Sequence, residues 1–263
     1  MLLLTRALII LLLICSAAQA NSNIQQNDKD STLRMCVSHY PPYQIVLPEQ
    51  APIGENIATT NYLFKQLGFT IEYTPNNSFW RCLALLKSGK VDLMSGLLDA
   101  PERRQFSHLL VYGSLEKKVF YVNNDQLNIK TFADLEGLRV AVLRGVKQFK
   151  QFDNAPAGFF TKVYASDLDA GFRILAAGKV DVLISTHFLD LATFKKNNVT
   201  DHAIKEIIVD LDGSSLLYTG LSKQSKIAHL APELERLSKR LHQNGEFAHV
   251  IKMFKQQHPQ YYQ

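Results

Sequence analysis

The sequence predicts an α/β protein of two lobes, each a mainly parallel sheet flanked by helices, joined by two hinge crossings. Three observations carry this. The tract Leu83-Ala-Leu-Leu-Lys-Ser-Gly-Lys-Val-Asp-Leu-Met94 returns, blurred, as Phe172-Arg-Ile-Leu-Ala-Ala-Gly-Lys-Val-Asp-Val-Leu183. Each copy reads as an apolar-faced helix, a glycine stop and a short buried strand, the αβ half of an α/β unit. Leu33-Arg-Met-Cys-Val-Ser38 and Leu138-Arg-Val-Ala-Val-Leu143 echo each other as the opening strands of two halves. With 263 residues the chain has room for two such lobes and a sizeable core.

The elements follow in order. Met1 to Arg6, the apolar run Ala7 to Cys15 and Ser16-Ala-Ala-Gln-Ala20 form a charged start, an apolar middle and a small-residue exit. This is the pattern of a secretory signal (1–20) cleaved after Ala20; the apolar run is shorter than the ~20 residues that span a bilayer. Residues 21–32 are polar and aperiodic and read as a flexible leader. Lobe one (33–117 and 214–263) has a strand from Leu33 to Ser38, an extended turn at His39-Tyr-Pro-Pro-Tyr43, and a helix from Ile57 to Leu67 stopped by Gly68. A strand from Phe69 to Tyr73 and the first repeat follow, its helix from Trp80 to Lys87 and its strand from Val91 to Ser95. The alternating run Lys117 to Asn123 is the first crossing. Lobe two (118–213) has a turn and helix at Thr131 to Leu135, a strand to Leu143 and a turn at Gly145. A helix starting near Val146, a strand from Thr161 to Tyr164, the second repeat and a helix around Phe188 to Lys195 complete it. Ser214 to Leu221 returns as a strand, and Glu233 to Leu241 and Phe247 to Gln256 close the chain as helices.

The formal charge of +5 falls by the charge of Arg6 to +4 once the signal is removed, spread over both halves without a basic block. That gives solubility and no case for nucleic acid; a monomer is expected. Of the three cysteines, Cys36 and Cys82 lie beyond the signal. Their elements are expected to be neighbours, so they form either a disulfide or two buried thiols. No metal-ligand spacing, phosphate loop, Gly-x-Ser-x-Gly or Cys-x-x-Cys stands in the chain, and no cofactor, metal or catalytic residue is assigned.

In open α/β sheets small ligands gather beyond the carboxyl ends of strands. That singles out Tyr40, Tyr43, Trp80, Arg81, Ser95, Gly96 and Arg103 in lobe one, and Lys147, Thr186 and His187 in lobe two. The planar fork of Arg103 suits a carboxylate. Tyr40, Tyr43 and Trp80 read either as packing residues or as flat walls of a small-ligand site. Lys147 at a helix start opposes the helix dipole, which suits an anion bound between them.

The order and spacing of Tyr40-Pro-Pro-Tyr43, the two Gly-Lys-Val-Asp copies, Ser95-Gly96 through Pro101-Glu-Arg103, Phe106-Ser107 and Asp134-Leu-x-Gly137-x-x-Val-Ala-Val-x-x-Gly145 resemble the family 3 extracellular solute-binding proteins. These are periplasmic receptors of polar amino-acid uptake systems, and the chain looks like a divergent branch. The resemblance implies a type II periplasmic-binding-protein-like fold and a periplasmic location. It also implies a small-molecule ligand, an ABC transporter or sensor as membrane partner, and Arg103 on the ligand carboxylate. The sequence departs from the family pattern at Leu98 and Val146, where hydroxyl residues are usual, and at Thr186, where an acid usually meets the ligand's ammonium. A standard α-amino acid is therefore doubtful unless another carboxylate such as Asp99 takes over. The rival expectation is an enzyme of the cyclohexadienyl dehydratase type on the same scaffold, with His187 as its acid.

Overall fold

The computed structural model describes residues 31–124, 126–185 and 204–262. Residues 1–30, Thr186, His187 and the helix expected around Phe188 to Lys195 lie outside the described residues. The first half runs β1 (Thr32–Cys36), α1 (Glu55–Lys65), β2 (Thr70–Tyr73), α2 (Phe79–Lys87), β3 (Leu93–Leu98) and the single turn α3 (Pro101–Arg104). A strand of 16 residues, β4 (Ser107–Val122), leads into the second half. There β5 (Arg139–Leu143), α4 (Lys150–Asp153), β6 (Thr161–Ala165), α5 (Leu168–Ala176) and β7 (Val182–Ser185) follow. The chain returns through β8 (Lys205–Ser222) and ends on α6 (Ala231–Gln243) and α7 (Glu246–Gln257).

Hydrogen bonding links the strands in the order β2-β1-β3-β8-β4-β7-β5-β6. The outer three strands at each end are parallel, and β4 and β8 insert between them as an antiparallel ribbon. The result is two mixed sheets that share the ribbon, the two-lobe α/β architecture expected. The parallel part of each lobe is what the repeat encodes, and the antiparallel part comes from the two crossings. Both crossings are longer than expected, because β4 takes in Ser107 to Leu115 and β8 takes in Lys205 to Gly213. Their pairing jumps between Leu115↔Ser215 and Lys117↔Asp210, so the ribbon is interrupted where it passes from one sheet to the other.

Both faces of each sheet are covered, as a sheet built from αβ units requires. Leu33, Met35, Phe64, Leu110, Leu234 and Phe247 form one core of lobe one, and Leu86, Met94 and Leu97 belong to another around Cys36 and Cys82. In lobe two, Tyr121, Phe172 and Leu183 pack on one side and Phe120, Phe149 and Phe152 on the other.

The repeat is the same at the level of single hydrogen bonds. Each helix ends on a glycine with positive φ, 66° at Gly89 and 63° at Gly178. The next amide reaches back over that turn, Lys90 N–H to Leu85 O at 3.0 Å and Lys179 N–H to Ile174 O at 3.0 Å. The aspartate two residues on grips the opening strand. Asp92 Oδ2 accepts Arg34 N–H at 2.8 Å, and Asp181 Oδ2 accepts Arg139 N–H at 2.7 Å. The echo between residues 33–38 and 138–143 is thus the partner of the Gly-Lys-Val-Asp echo.

Two expectations need correction. β1 begins at Thr32, in register with Thr70, inside the stretch expected to be leader. No helix starts at Val146: residues 146–149 are non-helical and α4 begins at Lys150. The reason is apolar, since Val146 and Phe149 turn into packed clusters that a helical turn would not let them reach together. Lys147 is therefore not at a helix N-terminus. Of the two alternatives for the cysteines, Cys36 and Cys82 form the disulfide, with a Cα–Cα distance of 5.4 Å.

Candidate functional site

Where β1, β3 and β5 end, the two lobes meet around a cavity of about 50 Å³. That is room for about four waters or a small organic molecule. Lobe one lines it with Ser38, Tyr40, Tyr43, Gln44, Asn56, Gly96, Leu98 and Tyr112, and lobe two with Lys118, Leu143, Val146 and Lys147.

The aromatic wall comes from the proline turn. Tyr40 and Gln44 exchange main-chain hydrogen bonds of 2.7 and 3.0 Å around a cis Pro41–Pro42 bond. The turn stacks Tyr40 on Tyr43 with ring centroids 6.2 Å apart and planes 24° apart. Tyr40 also packs against the core of lobe two.

The polar floor is fixed from below. Gln44 accepts Ser38 N–H at 3.3 Å and donates to Ser95 O at 3.4 Å. Ser95 Oγ lies 3.0 Å from Thr219 Oγ1, which lies 3.1 Å from Thr60 Oγ1, so β3, β8 and α1 are tied by one buried hydroxyl chain. Tyr112 donates to Asn56 Oδ1 at 2.7 Å. Burial pushes the Tyr43 and Tyr112 phenols far up, so both stay protonated as donors.

A second set of contacts seals the cleft. Arg103 is 3 % exposed, and its guanidinium donates to Leu98 O in lobe one at 2.7 Å and to Gly145 O in lobe two at 3.0 Å. Burial draws it down to about 10, opposed by Glu102, Asp153 and Asp99, so it remains charged at neutral pH. Lys147 pairs with Glu102 across the same seam at 3.0 Å. On the far side an open groove of about 490 Å³ mixes Glu102 and Asp153 with Lys162 and Lys147 and is walled by lobe surfaces.

Of the residues expected from the sequence, the fold brings Tyr40, Tyr43, Gly96 and Lys147 to the cavity. Ser95 lies beneath it, and Arg103 spans the seam beside it. Trp80 is 44 % exposed, with its Cα and Cβ against Gly145, and Arg81 is exposed on α2. Thr186 and His187 lie outside the described residues. Leu98 and Val146, the departures from the family pattern, both face the cavity and make its wall apolar.

Sequence reasoning missed Gln44, Asn56, Tyr112 and Lys118. Two carried a usable signal. Asn56 falls at helical spacing with the buried Thr59, Thr60 and Leu63. Lys118 alternates with the buried Phe120 and Val122 on one face of β4.

Among the described residues no group of His, Cys, Asp and Glu could hold a metal ion, and no helix is long and apolar enough to cross a membrane. Solved structures share the fold. An ancestral arginine-binding protein bound to arginine superposes with a TM-score of 0.67 at 20 % identity, covering 85 % of this chain and 98 % of its own. A histidine kinase sensor domain with similarity to periplasmic binding proteins gives 0.66 at 18 %, covering 85 % and 95 %. The ancestral amino-acid-binding protein AncCDT-1, a precursor of cyclohexadienyl dehydratase, gives 0.64 at 20 %, covering 88 % and 99 %. No curated protein shows significant similarity to the chain. Residues 33–257, nearly all of the chain beyond its first segment, match the bacterial extracellular solute-binding proteins, family 3, and to that family this chain belongs.

Proposed function

We propose that the protein captures a small carboxylate-bearing solute between its lobes and presents the closed form to a membrane transporter or sensor. The observation that carries this reading is the cavity to which both lobes contribute walls. A solute that touches Tyr40 and Asn56 on one side and Lys118 and Leu143 on the other makes all its contacts only when the lobes meet. It therefore favours the closed form by its difference in affinity for the two states. The break in the β4/β8 ribbon supports hinge positions near residues 117 and 214, with lobe one as 33–117 and 214–263 and lobe two as 118–213. Arg103 and the Lys147–Glu102 pair act in this reading as the latch of the closed form.

Export by a signal peptide at residues 1–20 and action as a monomer in the periplasm complete the proposal. A transporter partner is in keeping with the family, and a sensor partner with the kinase sensor domain that shares the fold. Binding is preferred to catalysis because the family to which the chain belongs is one of solute-binding proteins.

The test is a thermal-shift screen of amino acids, dicarboxylates and small aromatic acids, with product analysis of each hit. Stabilisation by one class without turnover is expected. Turnover of the stabilising compound would make the protein an enzyme.

A further inference from the structure

We infer that Lys118 is the anion anchor of the interlobe cavity, and that the solute is a small carboxylate that carries no ammonium group. The inference rests on the binding reading above and narrows it. Lys118 is 3 % exposed and lines the cavity, yet among the described residues its amine has no hydrogen-bond or ion-pair partner. A buried ammonium without a partner is costly, and the usual resolutions are a fixed counter-charge or a ligand that brings one.

Among the described residues the lining holds no fixed counter-charge. Its described residues include two lysines and no aspartate or glutamate. Lys147 is engaged by Glu102 at 3.0 Å. Asp153 attracts Lys118 without a hydrogen bond, and its carboxylate accepts Gln148 N–H at 3.0 Å. Burial lowers Lys118 to about 8, which leaves it mostly protonated at neutral pH.

Arg103 does not compete for the ligand as arranged, since its fork is engaged by the carbonyls of Leu98 and Gly145. Asn56 lines the same cavity as Lys118. Its Oδ1 accepts from Tyr112, and its Nδ2 lies 3.0 Å from where a Cβ on Gly96 would stand, at the cavity wall. A carboxylate held by Lys118 and Asn56 would place its carbon chain against Leu98, Leu143 and Val146. An α-ammonium in that pocket would meet a second cation and an apolar wall.

The experiment is calorimetric titration of the full mature chain with butyrate, 2-oxobutyrate and 2-aminobutyrate, which share a carbon chain and differ at C2. It is repeated on Lys118→Met and Lys118→Gln, with melting curves of each unliganded variant. Binding of butyrate or 2-oxobutyrate at least tenfold tighter than 2-aminobutyrate is expected. A loss of at least a hundredfold is expected in whichever Lys118 variant melts at or above the parent temperature. Unchanged affinity in a folded Lys118 variant overturns the anchor while leaving cleft binding intact. Equal or tighter binding of 2-aminobutyrate overturns the ligand class alone. If none of the three binds and the wider screen stabilises nothing either, the binding reading falls and takes this inference with it. If the wider screen finds only ammonium-bearing ligands, the inference falls by itself.

Discussion

The two copies of the αβ repeat share a backbone solution and differ in what they fasten. In lobe one, the second oxygen of Asp92 accepts Ser225 Oγ at 2.6 Å, so the copy holds the chain just after β8 has returned. In lobe two, Asp181 instead receives the side chain of the residue whose amide it already binds, Arg139, at 3.1 and 2.6 Å. Lobe one also carries the Cys36–Cys82 bridge and the terminal helices α6 and α7, and lobe two has neither. The duplicated unit supplies two similar walls. The additions give lobe one a cross-link and two helices that the second copy of the unit does not share.

That asymmetry can be broken from either side, and the largest effect is expected at the disulfide. Replacing Cys36 and Cys82 by serine removes a cross-link over a separation of 46 residues. The expected cost is about 4 kcal/mol. Amide exchange should rise in β1 and α2 while β5 and β7 keep their protection, because the bridge lies in lobe one alone.

Next come the aspartates. Asp92→Ala strips one oxygen pair from Arg34 N–H and Ser225 Oγ and should cost about 2–3 kcal/mol. Asp181→Ala loses the Arg139 amide and a half-exposed guanidinium and should cost about 2 kcal/mol. Chemical denaturation of the two variants checks the order. A match between Ser225→Ala and part of the Asp92 loss would confirm that the difference lies in the returning chain.

The glycine pair sharpens the comparison further. Alanine at Gly89 or Gly178 suffers the left-handed backbone cost of about 1–2 kcal/mol. At Gly178 nothing stands within 4 Å of the added carbon, whereas at Gly89 it would meet Gln224 Cβ at 2.7 Å. Gly89→Ala should therefore be the more damaging, and Gly89→Ala with Gln224→Gly should fall back toward Gly178→Ala.

The smallest effects are those of pH, and both raise stability as pH rises, in two separate windows. The Arg139 side chain, then the Arg139 amide against some burial, holds Asp181 below the usual aspartate range. Its contribution is present above the unfolded aspartate value and fades as pH falls through the folded one. Burial holds Lys118 at about 8, below its unfolded value, with Asp153 opposing and Lys147, Tyr43 and Tyr112 also around the cavity. The folded state therefore binds fewer protons than the unfolded one between about pH 8 and the ordinary lysine range, and stability from this group rises across that window. Melting curves of Asp181→Asn and Lys118→Met against pH should each flatten the corresponding limb.

The sequence disclosed what is local and repeated. Helix, glycine stop, aspartate and buried strand lie within a dozen residues, and a second copy turns a weak pattern into a strong one. The ribbon was harder to read, because Gly113 with Ser114 in β4 and Asp212 with Gly213 in β8 break the alternation that marks a strand. The strand through Lys118 was legible from its alternation with Phe120 and Val122, but the cavity that it shares with Tyr40 was not, since that depends on how distant segments meet. For Arg103 the sequence suggested a carboxylate partner in the cleft, and its bond to Gly145 was not legible, since that contact depends on how two distant segments meet.

The most direct test of the central claim, a solute held by strand ends of both lobes at once, is hydrogen–deuterium exchange with and without the best stabilising compound of the screen. Protection is expected together at residues 95–98, beyond the first repeat, and at 143–147, beyond the strand that the second repeat grips. Protection confined to one lobe, or to the outer groove around Lys87 and Tyr164, would contradict it.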